Sequence, residues 1–204
     1  CSVLPGCATR KYHSSRRDAF KPINQEPIAH VKIGPDGPSI EMGDAVGFDA
    51  RPEAISPMMF DESTRIAQFI ADAHLHPDLV EAAIDAGYDA LLFHGTGLGH
   101  LPIADPQEDS PENTRLRIML ADHCAAGGVV VVVTQTIHGP VHMDVYDKGR
   151  DQQEMGIIGH GSLCPPSSAL VKLHHLLSRD EGRDAVAEGW ESDLVGENPP
   201  DALS

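Results

Sequence analysis

The chain has 204 residues, of which 41% are hydrophobic, and a formal net charge of -16 at pH 7. This length and apolar content suit one large globular domain or two small ones. No apolar run approaches the roughly 20 residues that a membrane helix needs, and 31 acidic against 15 basic residues repel phosphate backbones. The sequence therefore disfavours a membrane role and extensive direct nucleic-acid binding. The same acidity suggests the hypothesis of a high-salt cytoplasm, where a carboxylate-rich surface stays hydrated.

The first third of the chain is irregular. The stretch "CSVLPG" reads as the end of a strand, and it leads into a local basic segment, "RKYHSSRRDAF", at residues 10–20. From Lys21 to Ser63 the chain is rich in Pro, Gly and Asp, which predicts a linker. Within it, "KIGPDGPSIEMGD" predicts a short hairpin at most.

From Thr64 onward, strand and helix patterns alternate. The pattern predicts strands at "RIAQFIA", "DALLFHG" and "VVVVVTQT" and helices at "HPDLVEAAIDAG" and "PENTRLRIMLADHCAAGG", the first ending at Gly87. Two further helices are predicted over about Pro166 to Ser178 and Asp180 to Glu191, before a polar tail. Such alternation predicts an α/β fold with a parallel sheet, whose ligand-binding loops follow the strands.

Two of these loops carry polar or glycine-rich motifs. "HGTGLGHLP" has G-x-G-x-G spacing and is followed by Pro102, whereas a dinucleotide fingerprint needs G-x-G-x-x-G opening a helix. We therefore interpret it as a structural or interface turn. "TQTIHGPVHMDVYDKGR" offers Thr134, Thr136, His138 and His142 among other polar side chains, which individually are ordinary loop residues.

The cysteines and histidines do not predict a metal site. The four cysteines lack CxxC spacing, which indicates reduced thiols in a cytoplasmic protein, and Cys124 is expected to be a packed thiol. The twelve histidines include the pairs His74/His76, His138/His142 and His174/His175, but no HExxH motif accompanies them. We expect solvated or locally hydrogen-bonded histidines and no bound metal.

The order of four segments resembles that of a known superfamily. "RKYHSSRRDAF" with the following "PIN", then "GYDALLFHGTGLGHLP", "VVVVVTQTIHGPVHMDVYDKGR" and "ALVKL" resemble the C-terminal part of the L-asparaginase/glutaminase superfamily. Within it, "SSRRDAF" and "VYDKGR" are most similar to the D-subunit branch of the archaeal glutamyl-tRNA(Gln) amidotransferases. The resemblance implies four regions: the edge of an N-terminal asparaginase-like α/β domain (1–20), a linker (21–63), a small Rossmann-like C-terminal domain (64–197) and a polar tail (198–204).

The resemblance also implies a chemistry, hydrolysis of a side-chain amide by a threonine nucleophile. A neutral hydroxyl is a poor nucleophile near pH 7, so a base and a tuning cation must lie beside it. The relay lysine of the family falls on Lys11 of this sequence. For Arg16 and Arg17 three roles stay open: pairing with nearby carboxylates, which is favoured, contact with a partner subunit and contact with tRNA. The glycine-rich loop of the family, which reaches toward the neighbouring subunit's active site, falls on Gly95, Thr96, Gly97, Gly99 and His100. Gly149 stands where some asparaginases have a glutamate that binds the substrate's amino group.

The implied partners follow from the same branch. They are a second copy of the chain, bound through the C-terminal domain, glutamine, and the E subunit of the amidotransferase, which uses ATP and Mg²⁺ and makes most of the contact with tRNA(Gln). No cofactor is expected in this chain itself. The family's two threonine motifs are absent from the 204 residues, so this stretch alone should be inactive, and the start at Cys1 suggests a cut edge. A free-standing archaeal L-asparaginase and a non-catalytic dimerisation or docking module remain as alternatives.

Overall fold

The computed structural model describes residues 1–43 and 58–198. Part of the predicted linker (44–57) and most of the predicted tail (199–204) lie outside the described residues. The strands are β1 (Ser2–Val3), β2 (Thr9–Lys11), β3 (Phe20–Pro22), β4 (Ala29–Gly34), β5 (Gly37–Met42), β6 (Ile66–Ile70), β7 (Ala90–Gly95) and β8 (Val129–Thr134). The helices are α1 (Pro77–Asp85), α2 (Pro111–Ala125), α3 (Asp147–Glu154), α4 (Pro166–Leu177) and α5 (Arg183–Glu191).

The N-terminal strands form two small antiparallel sheets. One has the order β1-β4-β5 and contains the predicted hairpin, which turns between Gly34 and Gly37. Gly37 has a φ of 105°, a conformation that favours glycine in a tight turn. The other sheet pairs β2 with β3, so that Lys11 lies opposite Phe20. The basic segment therefore contains the loop of a second, wider hairpin and the adjoining ends of its two strands.

The C-terminal part contains the predicted parallel sheet, in the order β6-β7-β8. Every residue of β8 is buried, as expected for a run of five valines with helices on both faces. The α/β class is thus confirmed. Among the described residues, no helix is both long and apolar enough to cross a membrane.

Alternation along β7 divides the core into two layers. Leu91 and Phe93 pack with apolar residues of α1 and α2 on one face, whereas Leu92 packs with residues of α4 and α5 on the other. Trp190 of α5 is 1% exposed and lies in the second layer. This sandwich fixes the positions at which β7 and β8 end, and therefore the loops that follow them.

The helix boundaries follow the predicted end signals. α1 is followed by Gly87 with a φ of 71°, and α2 by Gly127 with a φ of 93°, the left-handed conformation with which many helices end. α5 begins at Arg183, three residues after the predicted Asp180. At the C-terminus, Glu197 and Asn198 are 2% and 8% exposed. Asn198, the first residue of the predicted tail, is therefore buried against the folded chain.

The interpretation of residues 147–150 as loop was wrong. They form the first turn of α3, which continues through Glu154. The sequence "DKGRDQQE" contains no apolar residue, so no hydrophobic period marks it as a helix. Its inward side is formed by Gly149 and Gln152, which are both buried.

Candidate functional site

The candidate site lies at the carboxyl ends of the parallel strands, where ligands collect in open α/β sheets. Gln135, directly after β8, links the three strand ends. Its side-chain amide donates to the carbonyl of Ala71 at 2.8 Å and to that of His94 at 2.7 Å, and its backbone N–H donates to Gly95. The loops after β7 and β8 are thereby held against the edge of the sheet.

The glycine-rich segment after β7 is a tight turn closed by its own backbone. Thr96 and His100 exchange N–H···O bonds of 2.9 Å, and the N–H of Gly99 donates to Thr96 at 3.0 Å. Three backbone N–H groups of the turn are therefore already engaged. The motif therefore forms a turn, as predicted, and part of its backbone is occupied in closing that turn.

The glycines of the turn are required by close backbone approach. A Cβ on Gly95 would lie 2.5 Å from the carbonyl carbon of Gly99, and a Cβ on Gly99 would lie 2.7 Å from Val141. Gly97 and Gly99 also have positive φ values of 51° and 94°. Larger residues would have to displace either the turn or the loop after β8.

A buried amide, which carries no signal in the sequence, clamps this turn. Gln152 of α3 is 0% exposed, donates to the carbonyl of Gly99 at 3.0 Å and accepts from the N–H of Leu101 at 2.8 Å. On the other side, the hydroxyl of Thr134 donates to the carbonyl of Gly97, and the N–H of His142 donates to that of Leu98 at 2.9 Å. Three segments therefore fix the position of the turn.

His100 is held at the end of this turn and is 6% exposed. Its ring packs edge-on against Tyr146 at a centroid distance of 5.5 Å, and its Nε2 has no hydrogen-bond partner among the described residues. Burial, and secondly the charge of Lys148, lowers the pKa of His100. A neutral imidazole with a free Nε2 can donate or accept one hydrogen bond once a ligand or a neighbouring chain reaches it.

Lys11 is exposed at the end of β2. Its ammonium lies 5.8 Å from the ring centroid of Phe20, its partner across the strand pair. It has no hydrogen-bond or ion-pair partner in the part of the chain that the structure describes. The carboxylate and hydroxyls of a relay are thus not assembled around it by residues 1–43 and 58–198, and its relay role stays a prediction.

The segment next to Lys11 is nevertheless attached to the loop after β8. The hydroxyl of Tyr12 lies 3.3 Å from Nε2 of His138, and the N–H of Asn24 donates to Nδ1 of the same ring at 3.4 Å. Asn24 also accepts from the N–H of Gly139 at 2.9 Å and donates to the carbonyl of Leu163 at 3.0 Å. The Lys11 strand and the sheet edge are therefore parts of one surface.

The two arginines of the basic segment behave differently. Arg16 forms a two-pronged pair with Asp18, at 2.9 Å and 2.7 Å, and this lowers the pKa of the Asp18 carboxyl. This is the carboxylate partner that we expected for Arg16. Arg17 forms no ion pair with the described residues and lines an open groove of about 950 Å³ with Lys21 and Phe20.

Gly149 stands at the position where the resemblance implies that some asparaginases have a substrate-binding glutamate. It is buried in α3, where a Cβ would overlap the carbonyl oxygen of Met143. In this conformation, position 149 therefore cannot accommodate any side chain. A carboxylate that reached substrate from here would require a different path of the chain near Met143.

The other reactive groups of the chain include cysteine thiols and histidines. Cys1, Cys124 and Cys164 are free thiols, as expected. Burial raises the pKa of the Cys124 thiol, and it raises the pKa of Cys164 to about 12. Both buried thiols are thus packed, unreactive groups. Within residues 1–43 and 58–198, three side chains that could hold a metal ion come together, His142, Asp144 and His160, whose ligand atoms all lie within 4.8 Å of one another.

The fold is that of the asparaginases. The chain superposes with a TM-score of 0.77 on L-asparaginase I from Vibrio cholerae O1 biovar eltor, at 24% identity, covering 97% of this chain and 55% of that one. The thermostable L-asparaginase from Thermococcus kodakarensis gives a TM-score of 0.71 at 23% identity, with the same two coverages. At these identities the likeness establishes the architecture alone.

The sequence defines the family. Residues 65–188 match the model of the Glutaminase/Asparaginase C-terminal domain, and the chain belongs to this family. The matched range begins immediately before β6 and ends within α5, so it contains the parallel sheet and both helical layers. This confirms the superfamily to which the quoted segments pointed.

More similar sequences come from archaeal proteins named as the D subunit of glutamyl-tRNA(Gln) amidotransferase. The chain is 32% identical to that of Methanococcus maripaludis strain C5 over 203 residues, covering 97% of this chain and 44% of the relative. It is 30% identical to that of Methanobrevibacter smithii over 192 residues, covering 94% and 40%. The chain thus spans less than half the length of these curated relatives.

Proposed function

We propose that this chain is the C-terminal portion of an amidotransferase subunit that hydrolyses glutamine and supplies the ammonia for converting Glu-tRNA(Gln) to Gln-tRNA(Gln). The observation that carries the proposal is the 32% identity to the archaeal D subunit over 97% of the chain. The match extends beyond the C-terminal family domain and includes the segment around Lys11.

In this proposal, Lys11 supplies the cation of the relay. An ammonium near an aspartate keeps that carboxylate ionised, and the carboxylate can then accept the proton of a threonine hydroxyl. Its exposed position, and an ammonium that has no hydrogen-bond or ion-pair partner among the described residues, leave it available to groups outside residues 1–43 and 58–198. The attachment of Tyr12 to His138 would keep the lysine strand in register with the sheet edge while those groups bind.

The glycine turn has a positioning role in the same proposal. Held by Gln152 and Thr134, it presents His100 at a fixed place beside Tyr146. A second copy of the chain, docked through the C-terminal domain, would place this turn near the partner's active site. The E subunit of the amidotransferase, with its own ATP and Mg²⁺, would receive the ammonia and make most of the tRNA contact.

The test is ammonia release from glutamine by a longer form that carries an N-terminal portion of the kind the relatives have. The longer form should release ammonia from glutamine, and the 204-residue chain should not. Asparagine is assayed in parallel. A preference for asparagine would instead support a free-standing asparaginase, and inactivity on both amides would support a docking module.

Lys11→Met in the longer form tests the relay. It should lower kcat by at least about 100-fold, the lower end of what a positioned proton-transfer group contributes, without changing the oligomeric state. Lys21→Met is the matched control, since Lys21 is an exposed lysine of the neighbouring strand, opposite Arg10. Near-normal turnover of Lys11→Met would exclude the role, whatever the overall function.

A further inference from the structure

A cluster of three side chains, His142, Asp144 and His160, lies beside the glycine turn and has no part in the proposed hydrolysis. The ligand atoms of the three residues lie within 4.8 Å of one another. The ring centroids of His142 and His160 are 5.4 Å apart, and Nε2 of His160 is 3.4 Å from a carboxylate oxygen of Asp144. From this geometry we propose that the cluster binds a divalent transition-metal ion, with Zn²⁺ as the best-fitting probe.

The backbone around the cluster is fixed by contacts that do not involve its side chains. Met143, between His142 and Asp144, is 0% exposed, whereas the residues on either side of it are open to solvent. Val141 accepts from the N–H of Gly161 and donates to the carbonyl of Ser162, both at 2.9 Å. The segment 141–144 is thereby joined to the turn that carries His160, and the ligands need little ordering on binding.

The carboxylate is also oriented. Gln153 donates from its side chain to one oxygen of Asp144 at 2.8 Å, which leaves the other oxygen facing His160. Such outer partners hold ligands in place in known metal sites. The ring nitrogens of His142 have no hydrogen-bond partner among the described residues, so this imidazole can coordinate without breaking a contact.

Two imidazoles and one carboxylate form a donor set that suits Zn²⁺ and its first-row neighbours better than Mg²⁺ or Ca²⁺. Three protein ligands leave at least one coordination position for water. The site would join three segments, because the N–H of His142 also donates to Leu98 in the glycine turn. The bound ion would therefore cross-link the loops at the sheet edge.

Coordination of the metal ion through Nε2 of His160 would break one existing hydrogen bond. Its Nδ1 accepts the N–H of Met143 at 3.1 Å, whereas a neutral ring that coordinates through Nε2 carries its proton on Nδ1. Metal binding must therefore release the Met143 N–H from this acceptor. The amide resonance of Met143 should shift strongly on addition of Zn²⁺, which gives a local signature of the proposed site.

The complete 204-residue chain is titrated with Zn²⁺ by calorimetry and with Co²⁺ by visible absorption. One equivalent should bind, and the apparent melting temperature should rise. His142→Ala and Asp144→Asn should each weaken binding at least tenfold, and Gln153→Ala by about tenfold, as for other outer partners. His74→Ala, which removes an exposed histidine elsewhere, should bind as the parent does.

Both ligand variants alter exposed side chains, and circular dichroism checks that they fold. Unchanged affinity in either variant would overturn the proposal, because binding would then arise from other histidines of the twelve. Absence of stoichiometric binding by the parent, or binding without a shift of the Met143 amide, would overturn it as well. Loss of binding in both variants, with His74→Ala unaffected, would establish the site.

Discussion

At the residue scale, Gln152 shows how a polar side chain can determine the conformation of a loop. It is fully buried and satisfies one carbonyl and one N–H of the glycine turn. Gln152→Glu retains the shape but loses the donor to Gly99, so we expect the free energy of unfolding to fall by about 2–3 kcal/mol. Urea denaturation measures the change. Glu154→Gln, an exposed exchange in the same helix, is the control, and an equal effect of both variants would contradict this account.

His123 belongs to the same scale and gives the chain a pH dependence. Burial lowers the pKa of His123, whose Nε2 has no hydrogen-bond partner among the described residues. In the unfolded chain, the ring takes up its proton near about pH 6.5. Between that pH and the lower pKa of the folded state, the unfolded chain binds more protons. The free energy of unfolding should therefore fall as the pH decreases from about 7.

His94 and His100, whose pKa values burial also lowers, contribute in the same direction. His123→Phe should therefore make the decline between about pH 7 and 5 shallower without abolishing it. Urea denaturation at several pH values measures the slope. The exposed His74, changed to Phe, serves as the control. If His123→Phe retained the parent's slope, burial of this ring would not be one of its causes.

At the element scale, replacing Gly149 of α3 by alanine would have two opposing effects on stability. Replacing a glycine within a helix by alanine normally stabilises by about 1 kcal/mol. At Gly149, however, the new Cβ would overlap a backbone oxygen of Met143, which cannot move independently of the segment 141–144. We expect Gly149→Ala to destabilise by about 1–3 kcal/mol, the cost of overpacking.

A second helical glycine provides the comparison. In α5, the nearest atoms to a Cβ on Gly189 would belong to the side chain of Leu176, the first being a terminal methyl, and a side chain can shift more readily than a backbone carbonyl. Gly189→Ala should therefore cost clearly less than Gly149→Ala. Thermal or urea unfolding of both variants decides the matter, and stabilisation by Gly149→Ala would show that α3 can move away from Met143.

The elements also show which parts of the structure a sequence can predict. β6 to β8, α1, α2 and α4 are predictable because apolar periodicity and glycine or proline end signals agree there. α3 is not, because its buried positions are a glycine and an amide, which carry no hydrophobic signal. The glycine turn is predictable from its motif, whereas the clamp by Gln152 depends on a contact 53 residues away in sequence from Gly99.

The same limit explains why the approach of His142 to His160 could not be predicted from the sequence. Pairing by sequence joins His138 with His142, but His138 contacts Tyr12 and Asn24, and His142 lies beside His160. Only the packing of segment 141–144 against the turn at 159–162 brings those two rings together. Local spacing contains no information about this approach, so a constellation of this kind becomes visible only in the folded chain.

At the scale of the whole molecule, a buried ion pair attaches the C-terminal segment to the core. The side chains of Lys172 and Glu197 are 3% and 2% exposed and 2.8 Å apart. The Lys172 ammonium also donates to the carbonyls of Trp190 at 2.9 Å and Ser192 at 2.5 Å, and Glu197 accepts two backbone N–H bonds. The segment after α5 is thus closed over α4 by charge-assisted hydrogen bonds.

Removing one member of this pair should be costly because it leaves the other charge buried. Glu197→Gln or Lys172→Met should each lower the free energy of unfolding by about 3–5 kcal/mol. The double variant removes both charges but leaves two carbonyls without their donor. It should therefore cost markedly less than the sum of the single variants, and urea denaturation of the four proteins completes the cycle. Additive costs would show that the two groups do not depend on each other.

The pair also predicts the behaviour of the whole chain in acid. Burial raises the pKa of Glu197, but the ammonium of Lys172 and the two backbone N–H groups outweigh it and hold the pKa below its usual value. The stabilisation is complete above the unfolded pKa, near about 4.3, and is lost as the pH falls through the lower folded value. Between about pH 5 and 3 the parent should therefore lose more stability than Glu197→Gln, which has no proton to gain at this position. Parallel loss of stability in both proteins would mean that other carboxylates govern acid unfolding.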